Sequence, residues 1–284
     1  MSILRRVCTV AAATALALAG SAVVVATPAV AVAGRVVVSA TTPTDTASKI
    51  ATVSCPAGTL LLGGGGDVVD GVGRVRLYRV GPSVWGGQVM EAGAHQDPQS
   101  GVAPVPFAVT VWAICGTGVT GHEIVNLRPA IPGYQLSGSA SASCPAGKKV
   151  IGMGGGAHKS LLALLTGIRV DSALSTVTVD WHRRPDNQEI SGTAYVWAIC
   201  VNPVPGQQRV SAQSATGTAD KLVFAYCPFG TEPHAVGGGV EYGGDAAMLD
   251  AVAPVAPNRV FVDARDTFFG AAVPWRAYAQ AICA

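Results

Sequence analysis

Short runs in which apolar and polar residues alternate recur along the chain, the period-two pattern of β-strands. Ahead of Cys55, Ala51 and Val53 share the sulfur face while Thr52 and Ser54 point away. Ahead of Cys115, Val109, Val111 and Ala113 share the sulfur face, with Thr110, Trp112 and Ile114 opposite. Val196 and Ala198 lie beside Cys200 with Tyr195 and Trp197 opposite; Ala279 and Ala281 lie beside Cys283 with Tyr278 opposite. The sulfur side of these strands is small and apolar, as a bridge between packed strands requires. The other side is apolar or aromatic, which predicts cover on both faces. Further strands are predicted over residues 74–80, 167–170 and 248–252, then over 84–91, 177–182 and 259–262. Residues 160–165, in one copy only, are a weak helical candidate.

The cysteine contexts repeat. Cys55-Pro56-Ala57-Gly58, Cys144-Pro145-Ala146-Gly147 and Cys227-Pro228-Phe229-Gly230 share an opening. Ala113-Ile114-Cys115, Ala198-Ile199-Cys200 and Ala281-Ile282-Cys283 share a closing, at spacings of 60, 56 and 56 residues. Six cysteines allow fifteen pairings. The repeat selects one: Cys55 with Cys115, Cys144 with Cys200, Cys227 with Cys283. Gly65-Gly66, Gly154-Gly155 and Gly237-Gly238 fall at matched offsets behind the opening cysteines. The chain is therefore three copies of one β repeat, over 34–116, 117–201 and 202–284, each with four or five short strands. Tyr134-Gln135-Leu136 and Arg209-Val210 are strand-like and match residues 35–38, so each segment between copies belongs to the copy that follows. Proline in each opening presets φ for a tight turn. The expected architecture is all-β, three disulfide-closed antiparallel units, either set around a pseudo-threefold axis or strung as beads; the short linkers favour contact.

Residues 1–33 read as a secretory leader: Arg5 and Arg6, an uncharged apolar run, then Ala31-Val32-Ala33 as a cleavage pattern before Gly34. Cys8 leaves with it, and six paired cysteines suit an oxidising, extracellular address. Of 19 basic and 17 acidic residues, the leader holds two basic ones, so the mature protein is formally neutral. That balance excludes the basic footprint of a nucleic-acid binder. Cleavage leaves no stable membrane span.

The order Cys-Pro-Ala-Gly, glycine run, tryptophan-bearing strand and Ala-Ile-Cys resembles repeats of secreted actinobacterial proteins of unassigned function. That resemblance spans nearly the whole mature chain and implies fold and location, with no activity. Ala163-Leu164-Leu165-Thr166-Gly167-Ile168-Arg169-Val170 is similar to a motif of the vitelline membrane outer layer protein family, which implies a threefold β-prism and a carbohydrate-related role. Copy two alone carries it, and the cysteine spacing departs from that family's.

Chemistry is sparse. No G-x-x-x-x-G-K-[ST] occurs, and Lys148-Lys149 precede the glycines. The glycine runs read as places where a neighbouring strand or ring meets the backbone. His95, His122, His158, His182 and His234 occupy no matched positions and form no metal spacing. Asp180 and His182 share a strand face, and with Arg183 and Arg184 they form the most plausible enzymatic cluster. Asp67 and Asp70, and Glu241 and Asp245, are the carboxylates considered for calcium; copy two has Ala157, His158 and Lys159 there. Trp112 and Trp197 are expected in the core beside the bridges. Trp85 and Trp181 lean the same way, although exposed tryptophans would suit sugar stacking. The expectation is a secreted, non-catalytic extracellular or cell-surface protein with a structural or interaction role and no cofactor, its partner an extracellular protein or glycan. A lectin-like carbohydrate binder is the alternative.

Overall fold

The computed structural model describes residues 32–97, 103–158, 163–183, 191–244, 246–255, 257–267 and 273–284, so nearly all of the leader lies outside it. The described residues contain strands and no helix. Copy one contributes β1 (Ala33–Thr41), β2 (Lys49–Ser54), β3 (Leu60–Val69), β4 (Val75–Pro82), β5 (Val89–Gln96) and β6 (Ala108–Thr117). Copy two contributes β7 (Glu123–Leu127), β8 (Ala130–Ile131), β9 (Ser137–Ser143), β10 (Lys149–His158), β11 (Ala163–Val170), β12 (Thr176–Arg183) and β13 (Gly192–Val201). Copy three contributes β14 (Gln208–Gln213), β15 (Lys221–Tyr226), β16 (Pro233–Glu241), β17 (Ala247–Val255), β18 (Arg259–Asp266) and β19 (Arg276–Cys283).

Several boundaries differ from the sequence pattern. Residues 163–165 of the helical candidate open β11, where Ala163, Leu164 and Leu165 are all buried; residues 160–162 lie outside the described set. Tyr134-Gln135-Leu136 form no strand: the Gln135 N–H donates to the Pro132 carbonyl at 3.1 Å, a turn set by Pro132-Gly133, and β7 opens copy two instead. The strand expected from residue 84 begins at Val89, because Gly86 and Gly87, at φ 85° and 83°, bend the chain first. In each opening turn the proline stands first, with Thr59, Lys148 and Thr231 N–H donating to Pro56, Pro145 and Pro228. The turn's third residue is then Gly58, Gly147 or Gly230, at φ 80–82°, the type II position that favours glycine and tolerates asparagine.

The copies are not beads. Each splits into two three-stranded halves, and each half joins a half of another copy. The sheets run β1-β6-β3-β17-β18-β15, β2-β5-β4-β10-β13-β7, with β8 also on β13, and β14-β19-β16-β11-β12-β9. Copy one shares sheets with copies three and two, and copies two and three share the last, so the sharing closes a ring of pseudo-threefold form. The seams match in register: Gly66 with Val252, Gly155 with Val80, Gly238 with Ile168. Each seam strand carries a bulge at the same place, at Asp250, Tyr78 and Thr166.

The glycine runs are the middles of β3, β10 and β16. A Cβ on Gly237 would lie 2.6 Å from the Ile168 carbonyl oxygen, and one on Gly65 or Gly154 would strike the matching seam-strand backbone at Val252 or at Val80 and Gly81. A Cβ on Gly63 would meet the His234 carbonyl, and one on Gly152 the Leu62 carbonyl, so these strands also back onto one another. Backbones this close leave no room for a side chain.

The cysteines pair as the repeat requires. The N–H groups of Cys55, Cys144 and Cys227 donate to Gln88, Ser175 and Asn258, prolonging one sheet, while Cys115, Cys200 and Cys283 sit in another. Each bridge thus joins the two sheets its copy spans. One continuous core runs through all three copies, with Val109, Val111, Val196, Ala198, Ala279 and Ala281 inside it.

Candidate functional site

Successive copies meet through a repeated Gly-x pair. Gly34, Gly121 and Gly206 all have positive φ, and the side chain that follows reaches back to a carbonyl of the preceding copy. The His122 ring nitrogen Nε2 lies 2.8 Å from Leu61 O; Gln207 Nε2 donates to Val150 O at 2.7 Å; Arg35 Nε donates to Pro233 O at 3.0 Å. Leu61, Val150 and Pro233 hold one register position, opposite Cys115, Cys200 and Cys283. The three joints are equivalent in backbone and different in chemistry.

Two joints hold cavities. The ring-closing joint encloses about 590 Å³ lined by Arg35, Phe229, Glu232, His234 and Asn258. Arg35 pairs with Glu232 at 2.9 Å. Burial first, and the Arg35 charge second, hold the His234 imidazole down to about 4, against the Ala284 carbonyl contact that raises it. The joint between copies one and two encloses about 320 Å³ lined by Gln88, His122, Ile124, Asn126 and Trp197 with the Gly86-Gly87 backbone. Gln88 Oε1 accepts the Leu61 N–H at 2.5 Å. On the adjoining loop Trp85 is 91 % exposed, overturning the packed position expected for it. Of the other tryptophans, Trp197 and Trp181 are buried and Trp112 is half-buried.

The enzymatic candidates fall in a third cavity, of about 340 Å³, lined by Asp180, Trp181 and His182 with Ser139, Thr166 and Tyr242. Asp180 is ion-paired with Arg169 on the neighbouring strand. Arg183 ends β12 opposite Ala163, and Arg184 lies outside the described residues.

The carboxylates considered for calcium separate. Asp70 is in a turn at φ 63°, Glu241 pairs with Arg276 at 2.5 Å, and Asp245 lies outside the described residues. Asp67 joins a group that the sequence pattern did not nominate. Arg265 Nε lies 2.6 Å from Asp250 Oδ2, and its Nη2 lies 3.0 Å from Asp263 Oδ2. Burial pushes Asp250 up to about 8 and Asp67 up to about 6. Among the described residues no group of three or more His, Cys, Asp or Glu side chains is arranged to hold a metal ion.

At the second seam Arg76 pairs with the buried Asp97 at 3.2 Å and donates to His95 Nε2 at 3.0 Å, while Arg79 pairs with Glu91. Tyr78 stacks on His95 with ring centres 5.0 Å apart. Burial, then the charge of Arg76, drive the His95 imidazole down to about 2. Register places His95, His182 and Arg265 at equivalent positions, which corrects the expectation that the histidines are unmatched, and each seam carries its own polar cluster. No protein-family model matches the chain, and no curated protein matches it in sequence.

Proposed function

We propose that the protein is exported and acts outside the cell, or on its surface, as a non-catalytic interaction protein. The observation that carries this reading is the placement of its large apolar side chains. Among the described residues Trp85 and Phe229 are the most exposed of them, Trp85 in the loop between β4 and β5 and Phe229 within the turn Cys227-Pro228-Phe229-Gly230 that opens the third disulfide loop. Seam charges, by contrast, are matched within the chain, as in Arg76–Asp97, Arg79–Glu91, Arg169–Asp180 and Arg265–Asp250. Exposed aromatic anchors on a stiff frame are the usual means of recognition. The leader pattern and three disulfides support an oxidising destination. The partner is an extracellular protein or a glycan; the exposure of Trp85 favours the second, lectin-like reading.

The test is expression of the full chain in a secreting host, with the N-terminus of the exported form read by mass spectrometry. Labelled mature protein is then mixed with intact cells, cell-wall fractions and extracellular proteins. The expected result is an N-terminus at Gly34 and saturable retention on one fraction, weakened at least tenfold by Trp85→Ala or Phe229→Ala. Retention inside the host, or hydrolytic turnover abolished by Asp180→Asn or His182→Asn, overturns the reading.

A further inference from the structure

We propose that the cavity at the joint between copies one and two is a binding site for one neutral sugar unit. This rests on the interaction reading above and gives it a ligand class. Two polar atoms of the lining residues have no partner among the described residues: the indole N–H of Trp197, which is 0 % exposed, and the side-chain oxygen of Asn126. They stand on paired strands at directly opposed positions, Trp197 of β13 against Asn126 of β7. One is a donor and the other an acceptor, the two roles one hydroxyl can fill; both atoms are closed to solvent in the ligand-free protein, so a hydroxyl reaches them as the lining side chains shift. Buried polar groups in folded proteins are mostly paired; here the indole N–H groups of Trp181 and Trp275 are also without a partner among the described residues, so it is the opposed placement of Trp197 and Asn126 that marks this pair.

The equivalent positions in the other copies isolate this pair. In copy three the place of Trp197 is taken by Gln280, opposite Ser211, and its Oε1 accepts the Val170 N–H at 3.0 Å. In copy one Trp112 faces Ser39 and is half-buried. At these register positions, among the described residues, copy two alone sets a buried indole N–H against an unpartnered amide oxygen.

The lining sets the charge of the ligand. It has no carboxylate, lysine or arginine; Ser83, Gln88 and His122 complete its polar set. The ring-closing cavity, with Arg35 and Glu232, offers the opposite character. At about 320 Å³ the joint cavity is at the small end of ligand sites, room for one ring rather than a chain. Its rim carries the exposed indole of Trp85, whose neighbours Val84 and Gly86 line the cavity. The loop is held by Arg128 Nη2 donating to Val84 O at 3.1 Å and by the Trp85 backbone N–H donating to Ser83 Oγ at 3.2 Å. An indole held at the rim suits stacking against the C–H face of a pyranose while its hydroxyls enter the polar floor.

The mature protein is tested by saturation-transfer NMR against free glucose, galactose, mannose and N-acetylglucosamine, and on an array of neutral glycans. The first arm detects a free monosaccharide, the second a terminal unit. Saturable binding is expected in at least one arm. Trp85→Ala and Asn126→Leu should each weaken it at least tenfold, and Trp197→Phe, which keeps a ring and loses the N–H, roughly fivefold. Asp180→Asn should leave it unchanged, and thermal midpoints verify that each variant is folded. Absence of saturable binding in both arms overturns the site. Binding that survives Trp85→Ala and Asn126→Leu also overturns it. If retention on the cell fraction persists while sugars fail, the interaction reading stands and the site falls; if both fail, the reading falls with it.

Discussion

Asp250 is the bulged residue of β17, 1 % exposed, with one oxygen held by Arg265 and the other without a partner among the described residues. Burial raises its carboxyl to about 8 against the pull of Arg265, and Asp263 and Asp67 add to the rise. In the unfolded chain an Asp titrates near pH 3.9, so the folded protein keeps a proton that the unfolded chain releases. A raised carboxyl contributes stability that is lost as pH climbs from that value through 8. His95 and His234 carry the opposite sign: burial lowers them to about 2 and about 4, so folding loses stability as pH falls below the ordinary imidazole value. Below pH 6 the rise of Asp67 joins that of Asp250, and two carboxyls then offset two imidazoles. Unfolding free energy should therefore be nearly level from about pH 4.5 to 6 and fall between about 6.5 and 8. Asp250→Asn should remove that fall, so the difference between variant and parent changes by about 2 kcal/mol across the upper window. Urea titrations at four pH values measure it; parallel curves for the two proteins would refute the assignment.

At the scale of the strand, the glycine runs control how closely the seam strands approach. Gly237→Ala places a methyl 2.6 Å from the Ile168 carbonyl oxygen and 2.7 Å from Met153 Sδ, so β16 and β11 must part. The expected loss is about 3 kcal/mol, at the upper end of overpacking costs. Gly147→Asn, at φ 82° with nothing within 4 Å of the added Cβ, should cost less than about 1 kcal/mol, because Asn tolerates the left-handed region. Equal urea midpoints for the two variants would contradict the close-approach account. These strands also show what was legible. Alternation around the cysteines foretold β2, β6, β13 and β19, and the matched turns foretold the bridges. The glycines foretold a close approach, yet their poor β-propensity concealed that they are strand centres. Period two tells which face a residue takes and leaves open which strand lies beside it, so Gly66 opposite Val252 had no local signal. The joint cavity was hidden for the same reason, since Gln88 and Trp197 come from different copies. Asp250 drew no notice because nothing local shows that β17 is covered on both faces, which follows from its pairing with β18 and β3.

For the whole molecule, the consequence of shared sheets is that the main core belongs to no single copy, while copy two adds a small cluster of its own at Ile131, Ala157, Ala163, Trp181 and Ala194. The bridge Cys227–Cys283 joins β15, in a sheet with β1, β6 and β3 of copy one, to β19, in a sheet with β9, β11 and β12 of copy two. Its loop, closed at a separation of 56 residues, contributes about 4 kcal/mol in the chain-entropy model. If the copies were independent, the paired variant Cys227→Ala, Cys283→Ala would loosen residues 202–284 and spare the rest. The ring predicts a different map of amide hydrogen exchange. Protection should fall along β1, β3 and β6 and along β9, β11 and β12, although none of these strands carries a substitution. The sheet built from β2, β5, β4, β10, β13 and β7 contains no strand of copy three and should keep most of its protection. Removing Cys55 and Cys115 instead should spare the sheet of β14, β19, β16, β11, β12 and β9, which contains no strand of copy one. Exchange confined to the substituted copy in both variants would mean that the seams carry little of the stability. Loss that follows sheets rather than copies would show that the seams, where backbones meet over glycine, bind three repeats into one cooperative unit.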